Sequence, residues 1–144
     1  MEILERKVFQ HSGVGEKIES SFVQIEMEGI PLLVRTHRII DQEKPVLVLV
    51  HGFLSSAICF VNMLKGLSEK YSLVFFDVGG HGLNSKLKTC SAMQTAETAE
   101  NWLIDWMVKT LDALNLPKKF YLSGHSMGGY LSSLYASVRP ERIE

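Results

Sequence analysis

Two uninterrupted apolar runs constrain this chain most: PVLVLV, Pro45 to Val50, and SLVFFD, Ser72 to Asp77. Neither alternates with polar residues, so each predicts a strand buried on both faces. Such strands belong to parallel sheets covered by helices on either side. KKFYLSG, up to Gly124, reads as a third strand of the same kind. Helical patterns follow each run. Ser55 and Ser56 can cap a helix reaching to about Ser68. From Thr95 to Asn115, Ala99, Leu103, Trp106, Met107, Thr110 and Leu114 recur every three or four residues, an amphipathic helix of five to six turns. Pro117 closes it, and MGGYLSSLYASV reads as the last helix. Strand and helix in strict alternation imply right-handed βαβ crossovers and an α/β fold: a three-layer sandwich with a mostly parallel sheet and helices on both faces.

Upstream, FVQIEMEG (Phe22 to Gly29) alternates as a half-exposed strand does, and PLLVRTHRII (Pro31 to Ile40) is a second candidate. Glu28-Gly29 between them suits a hairpin turn. A loop rich in Gly, Ser and Lys runs from Asp77 to about Gln94. Trp102 and Trp106, one turn apart, read as core anchors. No linker or repeat interrupts the pattern, so residues 1–144 read as one domain.

Composition narrows the classes. The 144 residues are 46% hydrophobic and 22% charged, with a formal net charge of -1. This balance gives no nucleic-acid footprint, which needs clustered Lys and Arg. MEILERKVFQ is too charged for a signal peptide, and no apolar run approaches the roughly 20 residues of a membrane helix. Cys59 and Cys90 lack metal or CxxC spacing and read as reduced thiols serving as small fillers, which fits a cytoplasmic setting. His, Cys, Asp and Glu form no metal-ligand pattern, and the glycines near Lys17 and in GGHG match neither a phosphate loop nor a dinucleotide loop. Neither a metal nor a cofactor is expected.

The chemistry-bearing stretch is YLSGHSMGGYLSS, Tyr121 to Ser133. It sets Ser126 between Gly124 and Gly128 where a buried strand becomes a helix, the setting of a nucleophile elbow. A serine on so sharp a turn takes strained backbone angles, and the chain passes too close for side chains at the flanking glycines. Its oxygen is lifted above the carboxyl edge of the sheet, where open α/β sheets bind ligands. Acyl transfer also needs two N–H groups waiting for the oxygen that becomes negative. Met127, after the serine, supplies one; the loop His51-Gly52-Phe53 supplies the other from Phe53.

His51-Gly52-Phe53, Asp77 to Ser85 (DVGGHGLNS) and Gly124 to Gly129 (GHSMGG) together resemble the early motifs of the α/β-hydrolase fold family, in family order and spacing. The resemblance runs from about residue 22 to RPERIE at the end. AETAENWLIDWMVKTLDALNL is similar to a lipid-acting branch that includes lysophospholipases and a lipase co-activator. The resemblance implies a serine hydrolase of carboxylic ester or related acyl bonds, with a lipid or small hydrophobic acyl substrate and Ser126 as nucleophile.

One departure bears on that expectation. The family order is serine, acid, histidine. Eighteen residues follow Ser126, and none is His or Asp; Glu141 and Glu144 lie where the family places no acid. Acid and base are expected beyond Glu144, as are the last strands and the cap. Among local histidines, His125 reads as a packing residue and His51 as a support for the oxyanion loop. His81 reads as structural or pocket floor, and His11 and His37 as exposed or satisfied. Asp77 is expected to shape its own loop. The alternative is a non-catalytic truncated homologue acting as an interaction or regulatory protein. The strand holding Phe120 to Leu122 is expected to leave an exposed sheet edge open to self-association or to a partner.

Overall fold

The computed structural model describes residues 2–86 and 95–144. Five strands form one sheet in the order β1-β2-β4-β3-β5. They are β1 (Glu19–Met27), β2 (Ile30–Ile39), β3 (Val46–Val50), β4 (Ser72–Phe76) and β5 (Tyr121–Gly124). β1 pairs antiparallel with β2 and β2 antiparallel with β4, while β3 lies parallel between β4 and β5. β2 alone therefore runs against the other four. The β1–β2 turn has positive φ at both Glu28 (52°) and Gly29 (75°), the backbone twist that a two-residue hairpin loop requires.

The unbroken apolar runs are explained by helices on both faces. Alternate residues of β3 and β4 point to opposite sides. Val48, Val50, Val74 and Phe76 meet α3 (Ala96–Ala113) and α4 (Met127–Val138), packing against Trp102, Trp106, Leu111, Leu131 and Tyr135. Leu47, Leu49, Leu73 and Phe75 meet Phe9 of α1 (Glu2–Gln10), Ala57, Phe60 and Leu64 at the start of α2 (Leu64–Ser68). The result is the expected three-layer sandwich, and both tryptophans are core residues.

α3 starts on a reciprocal cap: the Thr95 hydroxyl accepts from Thr98 N–H, and the Thr98 hydroxyl accepts from Thr95 N–H. It ends before Pro117, because Asn115 turns into the left-handed region (φ 55°) and Arg38 Nη2 of β2 donates to Leu114 O at 2.6 Å. Here a tertiary contact sets the stop.

Two readings of the sequence need correction, and one element escapes it. Residues 57–68 do not form one serine-capped helix. A 3-10 turn, Ala57–Phe60, precedes the five-residue α2, and neither Ser55 nor Ser56 caps it; Ala57 N–H donates instead to Asp77 Oδ1 at 2.8 Å. Cys59 is exposed rather than a buried filler. Cys90 and the loop's 87–94 portion lie outside the described residues. α1 (Glu2–Gln10) falls in a stretch weighed above only as a signal peptide. It docks through Glu5, whose Oε2 accepts from Arg35 Nη2 at 2.6 Å and Nε at 3.1 Å. His37 Nε2 approaches Glu5 Oε1 at 3.3 Å, an electrostatic contact without the alignment of a hydrogen bond. His37 is fully buried, satisfied at Nδ1 by the Ser20 hydroxyl and stacked on Phe75. Burial opposes ionisation of Glu5, but the contacts with His37 and Arg35 outweigh it and hold the carboxyl below its ordinary range.

Candidate functional site

β3 and β5 pair in register up to Val50 and Gly124, so their outgoing turns leave the sheet side by side at its carboxyl edge. The turn after β5 holds Ser126 at φ 53°, ψ -122°. This region is sparsely populated for a residue with a side chain. Backbone packing on either side enforces it. A Cβ on Gly124 would overlap Gly128 O, and a Cβ on Gly128 would overlap Val50 O and His51 O. His125 N–H donates to Val50 O at 3.0 Å, and Gly128 N–H donates back to His125 O at 2.9 Å. The strained angles at Ser126 persist because the turn is locked from both ends. Its side chain is exposed above the edge and makes no cap to α4.

Met127 is the first residue of α4, so its N–H has no acceptor within the helix. The turn after β3 comes close to the same point: the Cβ position of Gly52 lies 3.1 Å from Ser126 Cβ. Phe53, next along, is 66% exposed. The loop that carries Phe53 is therefore brought beside Ser126 and Met127, which lie far along the chain from it.

His51 fixes this loop. It is fully buried. Val78 N–H donates to its Nε2 at 2.8 Å, so Nε2 carries the lone pair and Nδ1 carries the proton, given to Gly52 O at 2.8 Å. Both nitrogens are engaged, and the ring is a brace between the β3 turn and the β4 turn. Burial pushes its pKa below the ordinary value of 6.5, more than the Gly52 carbonyl and the Asp77 charge restore.

Asp77 is buried and spends both carboxylate oxygens on backbone: Oδ1 accepts from Ala57 N–H at 2.8 Å and Oδ2 from Leu83 N–H at 2.7 Å. It shapes its own loop, as the sequence suggests. Asn84 completes that loop. Its amide donates to Asp77 O and Val78 O at 2.7 and 3.0 Å, and its Oδ1 accepts from Arg35 N–H at 2.7 Å. Sequence reasoning missed Asn84, although its place in DVGGHGLNS was the available signal. His81 donates Nδ1 to Gly79 O at 3.0 Å and stands edge-on to both His51 and Phe53. His125 is exposed beside Ser126, and His11 is exposed far along the chain.

A cavity of about 520 Å³ lies elsewhere, under α1, with Glu5, Phe9, Ser20 and Arg35 among its walls. Ser126 is not on it. Among the described residues, no cluster of His, Cys, Asp and Glu could hold a metal ion, and no helix is long and apolar enough to cross a membrane.

Comparison with known proteins agrees with this fold. Residues 45–144 match the alpha/beta hydrolase fold family. An abhydrolase domain-containing protein, abhd-5.2, from Caenorhabditis elegans is 34% identical over 127 residues, 88% of this chain and 28% of that protein. A 1-acylglycerol-3-phosphate O-acyltransferase from Arabidopsis thaliana is 35% identical over 101 residues, 69% of this chain and 23% of its own length. The crystal structure of a membrane phospholipase A, a bacterial virulence factor, superposes with a TM-score of 0.75 at 23% identity, covering 99% of this chain and 40% of that one. The chain thus spans about a quarter of the length of the curated relatives it matches, and those relatives include lipid-acting proteins. With its strand order, its two adjoining turns and this match over residues 45–144, the chain belongs to the α/β-hydrolase fold family.

Proposed function

We propose that this sequence carries the nucleophile and oxyanion hole of a serine hydrolase of ester or related acyl bonds in lipid or small hydrophobic substrates. The observation that carries the reading is the backbone of Ser126, φ 53° and ψ -122°, locked against the β3 turn. A sparsely populated conformation costs on the order of 1–3 kcal/mol and persists where the surroundings over-determine it, most often at reactive sites.

On this reading Ser126 Oγ attacks the acyl carbon, and the carbonyl electron pair moves onto oxygen. The N–H groups of Phe53 and Met127 receive that oxyanion. Collapse expels the leaving alcohol and leaves an acyl-serine, which water then cleaves to acid and free enzyme. The Oγ proton goes to a base that an acidic residue orients, and both come from outside these 144 residues. His51 does not serve, because both of its nitrogens are engaged. The Arabidopsis relative favours a variant in which a lipid hydroxyl, instead of water, takes the acyl group. Phe120, just before β5, makes an isolated bridge to Ile143, and we take the outer edge of β5 as the place where another strand adds, from the same longer chain or a partner.

The test uses the full-length protein. A fluorophosphonate probe should label Ser126, and Ser126→Ala should abolish labelling and lower ester turnover by on the order of 10⁶. Labelling that survives the substitution sinks the assignment. A wild type that takes no label and cleaves no ester instead points to the non-catalytic alternative, an interaction protein that keeps the fold.

A further inference from the structure

Two peptide planes and one imidazole connect Asn84 to the Phe53 N–H. Every peptide bond among the described residues is trans. In a planar trans peptide the C=O and the N–H point in opposite directions. A group that grips the oxygen of one residue therefore also aims the N–H of the next.

The first plane joins Asp77 to Val78. Asn84 Nδ2 donates to Asp77 O at 2.7 Å, and on the opposite side Val78 N–H donates to His51 Nε2 at 2.8 Å. The Asn84 amide cannot be turned over, because its Oδ1 already accepts from Arg35 N–H at 2.7 Å. A backbone N–H can only donate, so Val78 leaves Nε2 as the unprotonated nitrogen of the buried ring. The proton then sits on Nδ1 and goes to Gly52 O at 2.8 Å. That oxygen belongs to the second plane, which joins Gly52 to Phe53. Held toward the ring, it turns the Phe53 N–H away from His51.

We infer that Asn84 and His51 are positioning residues for the oxyanion donor. Asn84 sets the tautomer of His51 through Val78, and His51 sets the direction of the Phe53 N–H through Gly52. The effect on rate rests on the oxyanion reading of Phe53; the direction of the peptide does not.

Two variants of the full-length protein separate the bonds of His51. An asparagine amide ends near the place of Nδ1, and a glutamine amide near that of Nε2. His51→Gln keeps an acceptor for Val78 N–H and loses the donor to Gly52 O, so kcat for p-nitrophenyl butanoate should fall roughly a hundredfold with KM unchanged. His51→Asn keeps that donor and should recover at least about tenfold of the loss. Asn84→Ala should lower kcat about tenfold alone and nothing further in His51→Gln, where the bond it acts through is already gone. A merely structural role would instead make turnover follow melting temperature in every variant. Equal kcat in the two His51 variants, or losses that multiply in the double variant, overturns the inference. The Phe53 amide reports the peptide without turnover. In protein carrying nitrogen-labelled phenylalanine, its resonance is assigned by its loss in Phe53→Leu. It should be single and sharp in wild type and His51→Asn, and broadened or split in His51→Gln. An unchanged resonance in His51→Gln overturns the inference. Failure of Ser126 to take a probe sinks the catalytic reading alone, and the amide resonance still decides this one.

Discussion

Two buried polar clusters hold the molecule in shape, and they work in opposite ways. At the carboxyl edge of the sheet, His51, Asp77 and Asn84 spend their polar atoms on backbone: Gly52 O, Val78 N–H, Ala57 N–H, Leu83 N–H and Arg35 N–H. Beneath α1, Glu5, Arg35 and His37 face one another side chain to side chain. Bonds from side chain to backbone fix where a loop runs, so the first cluster sets geometry. Bonds between side chains fix where an element docks, so the second sets attachment. The first cluster borders the candidate site; the second anchors a helix at the far end of the chain.

The difference can be broken most forcefully at α1. Arg35→Met leaves the Glu5 carboxylate buried without its bidentate partner, which typically costs about 3–5 kcal/mol. The paired change Glu5→Leu with Arg35→Met should restore most of that, since a buried ion pair is commonly replaceable by apolar groups of similar volume. Urea unfolding of the three variants reads this directly. A double variant no better than Arg35→Met would show that the cluster does more than attach α1.

A smaller effect is expected at the edge. His51→Phe leaves Val78 N–H without an acceptor, a loss of about 1–3 kcal/mol. Here no second substitution compensates, because the orphaned partner is backbone. Ester turnover should fall along with stability, whereas the α1 variants should lose stability with turnover per folded molecule retained. Equal turnover losses in the two sets would erase the distinction.

The smallest effect lies in the pH dependence, and it sharpens the comparison. His51 is held below 6.5, so on acidification the unfolded chain takes up its proton first. Stability is therefore lost as pH falls below about 6.5 and through the lowered pKa of the folded state. Glu5 is held below 4.5, so its contribution is whole above that value and is lost only as pH falls further. Melting temperature against pH should show two acid steps. His51→Phe should flatten the upper one, and the Glu5–Arg35 double variant the lower. A single step removed by either change would contradict the assignment.

How much of this was legible depends on the range over which each residue finds its partners. The elbow could be read because Gly124, Ser126 and Gly128 meet within five residues, and the strands because apolar runs buried on both faces report their own surroundings. α1 could not, because Glu5 occupies the buried face, and its partners Arg35 and His37 lie some thirty residues on in the strand β2. The 57–68 segment failed for a related reason: the group holding its first N–H is Asp77, twenty residues away. His51 was legible in kind, as a loop support, but its two-sided bonding depended on where Val78 falls in space.

The register that pairs Val50 with Gly124 has a wider consequence. The two turns that meet at Ser126 start from one rung of the ladder, so their spacing is inherited from main-chain hydrogen bonding. A slip of one residue between β3 and β5 would displace one turn past the other by about 3.3 Å, more than the tolerance of a hydrogen bond. The alignment at Ser126 is therefore set by main-chain pairing rather than by any single side chain of β3 or β5.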